Sequence, residues 1–412
     1  DGKRKIKNGV SKYFLRESFE YPMLQNDSKL KERASSPLEL FFDLMLVAIF
    51  GVVAHQFYHI TMIGLLLAFS LFFATFFVWI NINMFMMRFY SASYLIRIGL
   101  MSTMLPLFMI ASVEDISSPE GIRVISIGLF FSRIILIILW YIVALKNPKV
   151  TNETFKKVVK IDIVGYIIGA IVGGIPFFAP NEYVLIVAIL LGSVAEIGYD
   201  QIMYRSVSIR ESEGMPLLDV DLLNERILLF IILIFGEGVL SSFSIFSEHS
   251  TNNTEHIFLG IVVFISVFLF YLRVYEEWVM RKFISKMETA QITRVMLIAF
   301  LQLSLYSILN AILVQKGFVD ISFRVVLSIV LMVISGGHHS ADLQELKSTK
   351  TSDEEKKFAR VDIVTLYPMY ILSILVLFIS NKIIIILIVF TYFLIHIIPV
   401  PYRYKLFKTR VE

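Results

Sequence analysis

The chain has 412 residues, of which 57% are hydrophobic and 17% charged, with a mean hydropathy of +0.75, a formal net charge of +4 and no cysteine. So apolar a chain of this length does not fold as a water-soluble domain, and a lipid bilayer must be its solvent. The missing cysteines exclude disulfides, thiolate metal sites and thiol catalysis, and the small net charge gives no reason to invoke nucleic acid.

Residues 1–36 form a basic tail that lacks the apolar core and small-residue cleavage site of a secretory signal, so it is expected to be retained. Beyond it the sequence reads as about a dozen apolar stretches, each long enough for the roughly 20 residues of a spanning helix. They lie near 38–58, 62–87, 95–113, 121–145, 158–179, 182–204, 222–246, 256–280, 292–315, 322–340, 361–380 and 383–402. The expected fold is an all-α polytopic membrane protein. Period-two alternation with regular turn signals is absent, which sets a β-barrel aside. The polar segments 205–221 and 342–360 read as linkers and 403–412 as a second tail. Of the 38 Lys and Arg, all except Arg123, Arg133, Lys316, Arg324 and Lys382 fall in the two tails or in the alternate loops 88–97, 146–160, 205–226, 273–294 and 347–360. The positive-inside rule then places both termini in the cytoplasm.

A charge at membrane depth costs several kcal/mol and needs a partner, water or a function. In chain order, Glu39 and Asp43 share one face of the first helix at i,i+4, Glu39 standing beside Pro37 where the helix dipole favours an acid. His55 and His59 share a face at the other end of that helix, but no third ligand accompanies them and no metal site is expected. Trp79, Asn81 and Asn83 give the second span a polar end, as an interface anchor or a pathway wall. Arg133 is the one cation deep in an apolar stretch, about 18 Å from the outer end of its span, either neutralising Glu196 or Glu237 or meeting an anionic substrate. Gly165, Gly169 and Gly173 form a small-residue stripe for close helix packing. Glu196 and Asp200 pair at i,i+4 on the sixth span, and Glu225-Arg226 opens the seventh, in which Glu237 stands between Gly236 and Gly238 about 20 Å from the inner end. Two carboxylates on one helix face suit a cation or a proton. His338-His339 closes the tenth span without metal-site geometry, and His396 lies in the last.

The second six stretches repeat the first. Lys156-Lys157-Val158-Val159-Lys160-Ile161-Asp162-Ile163-Val164 answers Lys356-Lys357-Phe358-Ala359-Arg360-Val361-Asp362-Ile363-Val364 at an offset of 200 residues. Arg123 answers Arg324, Arg97 answers Arg294, Tyr204-Arg205 answers Tyr404-Lys405, and Ile49-Phe50-Gly51 answers Ile234-Phe235-Gly236 at an offset of 185. The expected organisation is two parallel six-helix repeats, 37–204 and 222–402, the linker 205–221 joining them. Glu196 then corresponds to His396, which makes the halves chemically unequal, as a proton-linked site requires.

Ser36-Pro37-Leu38-Glu39-Leu40-Phe41-Phe42-Asp43-Leu44 resembles the opening signature of the bacterial low-temperature-requirement A family, S-P-L-E-L-F-F-D-L followed by an apolar helix and a histidine, for which His55 stands here. Asn224-Glu225-Arg226-Ile227 through Ile234-Phe235-Gly236-Glu237 is similar to the family's second hallmark, an E-R-aromatic and then L-G-E, with Phe235 in place of Leu and Ile227 in place of the aromatic. Trp79 agrees with an aromatic-rich second span. The resemblance covers most of residues 33–400 and implies a bacterial plasma-membrane protein linked by name to growth in the cold, with no settled biochemical activity. It gives weight to Glu39, Asp43, His55, Trp79, Glu225, Arg226, Gly236 and Glu237 as motif positions. Separately, the six-plus-six layout with Phe42-Asp43 is similar to lysosomal-type potassium channels carrying F-S-D, although no serine stands between the two residues here.

The expected function is a secondary carrier of a small solute or ion, with Asp43, Glu196, Asp200, Glu237 and His396 on the pathway and Arg133 as a partner to one acid or to substrate. Rival readings are a cation channel, an embedded lipid-processing enzyme using an acidic pair, and a non-transporting factor for growth in the cold. No Walker loop, nucleophile elbow or dinucleotide fingerprint is present. Beyond the bilayer, a small solute or ion and possible coupling protons, no cofactor or nucleic-acid partner is expected, and no oligomeric state is read.

Overall fold

The computed structural model describes residues 23–24, 36–58, 60–90, 94–207, 220–249, 254–281, 289–315, 318–347 and 353–397. Within them run twelve α-helices: α1 (Pro37–His55), α2 (Met62–Arg88), α3 (Tyr94–Ala111), α4 (Pro119–Trp140), α5 (Glu153–Phe178), α6 (Glu182–Val207), α7 (Val220–His249), α8 (Thr254–Arg281), α9 (Thr289–Val314), α10 (Ile321–Lys347), α11 (Asp353–Phe378) and α12 (Lys382–Ile397). A 3-10 turn, Gln56–Tyr58, follows α1, and a π-helical turn, Tyr141–Leu145, continues α4. The strands β1 (Met23–Leu24) and β2 (Phe89–Tyr90) pair antiparallel.

Among the described residues, eight segments are long and apolar enough to cross a membrane, including Pro37–Tyr58, Met62–Arg88, Pro119–Leu145 and Ala359–Phe378, and Ile321–Gly337 and Lys382–Ile397 are shorter apolar helices. Large apolar side chains stand on the outside of these helices, for example Leu105 at 69% and Val364 at 66% exposure. Water would penalise that surface at about 25 cal/mol per Å², whereas hydrocarbon does not. The chain is therefore an all-helical membrane protein.

The helix starts are written locally. Ser36 and Glu39 form a capping box around α1, the Ser36 amide donating to Glu39 Oε2 at 3.0 Å and the Glu39 amide to Ser36 Oγ at 3.3 Å. Ser118 accepts from the Gly121 amide at 3.0 Å ahead of Pro119, which occupies the first helical position of α4. Asn152 caps α5 through the Phe155 amide at 2.9 Å. There Lys156 hydrogen-bonds the exposed Glu153 carboxyl at 2.9 Å and holds it below its usual range. Pro106, Pro176 and Pro368 lie inside α3, α5 and α11.

The chain divides into two compact units, one built from the residues up to Val53 with Leu66–Arg226, the other from Ala54–Leu65 with Ile227 onward. The first unit runs as far as Arg226, and the end of α1 with its following turn belongs to the second unit. In the first unit α3 packs on α4, α4 on α5 and α5 on α6, and Phe42, Phe50, Phe72, Phe76 and Trp79 fill the core. In the second, α10 packs on α11, α11 on α12 and α8 on α12, with Phe270 and Phe393 ring to ring at 5.3 Å.

Candidate functional site

The first unit buries a cluster of two carboxylates, one guanidinium and one indole. The helical turn that sets Glu39 four residues from Asp43 turns both toward Arg226 at the start of α7. Arg226 Nη2 donates to Asp43 Oδ1 at 2.7 Å and to the Glu39 carbonyl at 3.4 Å, and Nη1 lies 3.3 Å from Glu39 Oε2. Trp79 Nε1, from α2, donates to the same Asp43 Oδ1 at 2.7 Å. Asn83 is tied back to the Trp79 carbonyl at 2.9 Å. All four side chains are almost wholly sealed, with Asp43 at 0%. Two formal negative charges meet one positive, and Asp43 Oδ2 and Arg226 Nε find no hydrogen-bond partner among the described residues. An excess buried carboxylate beside an orphaned oxygen is a place for a proton or a cation, since either would relieve the desolvation cost. Glu225, adjacent in sequence, is exposed.

A second charged pair sits deeper in the same unit. Arg133 of α4 donates through Nε to Glu196 Oε1 of α6 and through Nη1 to the Leu129 carbonyl at 3.2 Å. Neither side chain is more than 3% exposed. Gly169 on α5 makes room for the pair: a Cβ there would run into Glu196 Oε1 and come within 3.1 Å of Arg133 Nε, and a Cβ on Gly192 of α6 would stand 3.4 Å from the Gly169 carbonyl. The glycine stripe thus does more than pack two helices closely. Gly169→Ala is expected to cost roughly 1–3 kcal/mol by overpacking, measured as a lowered unfolding midpoint of the detergent-solubilised chain, while Gly173→Ala, whose Cβ would lie 3.9 Å from Arg133 Nη1, leaves it nearly unchanged.

In the second unit Glu237 lies near the middle of α7 and is half-buried. A Cβ on its neighbour Gly236 would meet nothing within 4 Å, whereas one on Gly238 would come 2.7 Å from Cγ of Tyr306. Tyr306 is held by Gln302, which donates to its hydroxyl at 2.6 Å, and Phe235 stacks on Tyr271 at 5.0 Å. His396 is buried at the end of α12, 6.2 Å ring to ring from Tyr392, whose hydroxyl donates to the Leu331 carbonyl and shares a 2.8 Å hydrogen bond with Ser335. His55 is exposed and stands 5.7 Å from the Tyr58 ring. Asp200 lies on the α6 backbone with its side chain outside the described residues, as do the side chains of His338 and His339; His59 lies outside them altogether. Among the described residues no group of three His, Cys, Asp or Glu could hold a metal ion.

Two further buried pairs were not singled out by sequence reasoning. Arg273 of α8 bonds Asp362 of α11 at 3.3 Å, and Arg88 at the end of α2 is the charge acting on Asp162 of α5. Arg88 also lies over the rings of Trp140 and Phe155, at 5.5 Å and 5.8 Å. The signal was available: Arg88 and Arg273 are 185 residues apart, the offset of Ile49-Phe50-Gly51 from Ile234-Phe235-Gly236, and Asp162 and Asp362 are the acids of the Lys-Lys…Asp-Ile-Val match.

The family model described as bacterial low temperature requirement A protein (LtrA) matches residues 34–312, from just before α1 to near the end of α9. No curated protein and no solved structure gives a match.

Proposed function

The chain belongs to the bacterial low temperature requirement A protein (LtrA) family, and for this integral membrane protein we propose secondary transport of a small solute or ion, coupled to protons or cations. The observation that carries the reading is Glu237. It is a carboxylate halfway along an apolar helix, about 22 Å from Leu222 by the helical rise, and it keeps part of its side chain accessible where Glu39, Asp43 and Glu196 are at 2% or below. An acid held at that depth with access has the position of a proton or cation carrier. Gly236 leaves open space beside it, and Gly238 lets Tyr306 come close.

The Glu39, Asp43, Trp79 and Arg226 cluster serves as a latch at the cytoplasmic end, with Asp43 Oδ2 as the atom that takes a proton or cation when the ion pair parts. Arg133 and Glu196 act as a fixed strut across α4, α5 and α6, and the unlike residue His396 makes the second half titratable where the first is salt-bridged. Both termini lie in the cytoplasm of a bacterial cell, on the basic-loop side. Two parallel six-helix halves, near 37–204 and 222–402, are supported by a matching arrangement: in each, an arginine in the C-terminal part of the second helix supplies the charge that acts on an aspartate of the fifth.

The test is reconstitution in liposomes with an imposed pH or cation gradient. Wild type is expected to give saturable flux, and Glu237→Gln, folded by its size-exclusion profile, to lower it at least tenfold, whereas exposed Glu225→Gln leaves it intact. Undiminished flux in Glu237→Gln removes this residue from the mechanism, and unitary currents in a planar bilayer would turn the reading from carrier to channel.

A further inference from the structure

We infer that the cavity at the His55 end of α1 binds a small organic cation bearing an ammonium group, with Asp320 as its counter-charge. The cavity has a volume of about 650 Å³ and lies wholly within the second unit, between the turn after α1, the end of α9 and the start of α10. That volume is in the roughly 300–1,000 Å³ range of small-molecule sites. Among the described residues its wall includes His55, Tyr58, Thr61, Gln315, Asp320 and Phe323, and no lysine or arginine.

Three observations set the ligand class. First, the exposed Asp320 is the carboxylate among the described lining residues, and Arg324, one turn further along α10, donates Nη1 to the Leu377 carbonyl at 2.8 Å. Among the described lining residues this charge favours a cation over an anion. Second, Asp320 starts α10: its amide donates to Gln315 Oε1 at 3.3 Å, its carbonyl accepts from the Arg324 amide at 3.3 Å, and its carboxyl Oδ1 accepts from the Ser322 amide at 3.5 Å. Third, beside the polar Thr61, Gln315 and Ser322 the wall carries aromatic and aliphatic side chains, Tyr58 and Phe323 alongside Ile60, Ala311 and Val314. Aromatic faces attract an alkylated ammonium by cation–π contact, and apolar walls suit its carbon atoms. A bare metal ion is poorly matched, because one carboxylate and one imidazole leave its coordination incomplete.

The inference deepens the carrier reading by naming a substrate class, and its test reads binding rather than flux, so that each can fail alone. The full chain in nanodiscs is titrated with choline and with ethylammonium by calorimetry, with the uncharged choline isostere 3,3-dimethylbutanol as control. At least one of the two cations is expected to bind saturably and the isostere not to bind. Asp320→Asn should weaken binding at least tenfold while keeping the α10 start, since asparagine caps as well as aspartate, and Asp320→Glu should recover it in part. If Asp320→Asn proves unstable, Asp320→Ser carries the same test. Saturable binding that Asp320→Asn leaves unchanged, or no saturable binding of either cation, overturns the assignment.

Discussion

Arg226→Ala is expected to be the most destabilising single change in the first unit, lowering stability by on the order of 3–5 kcal/mol, because it strands two buried carboxylates at once. Glu39 and Asp43 are at 1% and 0% exposure, so water cannot replace the guanidinium that lies 3.3 Å from one and 2.7 Å from the other. Heating of the detergent-solubilised chain, followed by size-exclusion of what remains monodisperse, gives the measurement. Arg226→Lys should lose less, since it keeps the charge without the fork that spans both acids. Adding Asp43→Asn to Arg226→Ala should recover part of the loss. A midpoint for Arg226→Ala within a degree of wild type would mean that the cluster is solvated in the folded protein.

Arg133→Leu is the second large effect, again about 3–5 kcal/mol, since Glu196 has no other ion-pair partner among the described residues and sits under Gly169. The instructive comparison is the double variant Arg133→Leu with Glu196→Gln. Replacing a buried ion pair by neutral groups is often nearly neutral in stability, so the double variant should melt close to wild type while each single variant does not. The double variant also separates structure from transport: a strut without a further role loses nothing in liposome flux once refolded, whereas a pathway pair loses flux with its stability intact. Equal losses from the singles and the double would mean that packing around α4 and α6, not charge, sets the cost.

The membrane-spanning class was legible because apolar runs need no tertiary information. The helix limits are the less legible part: α10 runs to Lys347 and α11 starts at Asp353, since backbone hydrogen bonding carries a helix past the apolar stretch into polar sequence. The Glu39 and Asp43 spacing put two acids on one face, but not what they face, because Arg226 lies 187 and 183 residues away and no local periodicity reports a contact of that range. Depth alone left Arg133 with Glu196, Glu237 or an anionic substrate as its partner, and the structure places it against Glu196. The role of Gly169 was hidden for a related reason: a stripe of small residues looks the same whether a methyl or a guanidinium lies beneath it. Arg88 and Arg273 were counted as loop charges that set orientation, which concealed that both are buried, one at the end of α2 and the other inside α8.

Met62–Arg88 and Pro119–Leu145 each hold 27 residues in continuous helical turns, about 40 Å of length against a hydrocarbon layer of about 30 Å. Rods that overshoot their slab must lean or thicken it. Membranes with shorter acyl chains therefore impose a steeper lean on this protein than thicker ones do, and the lipid composition of its host becomes a mechanical load on the helices that carry Trp79 and Arg133.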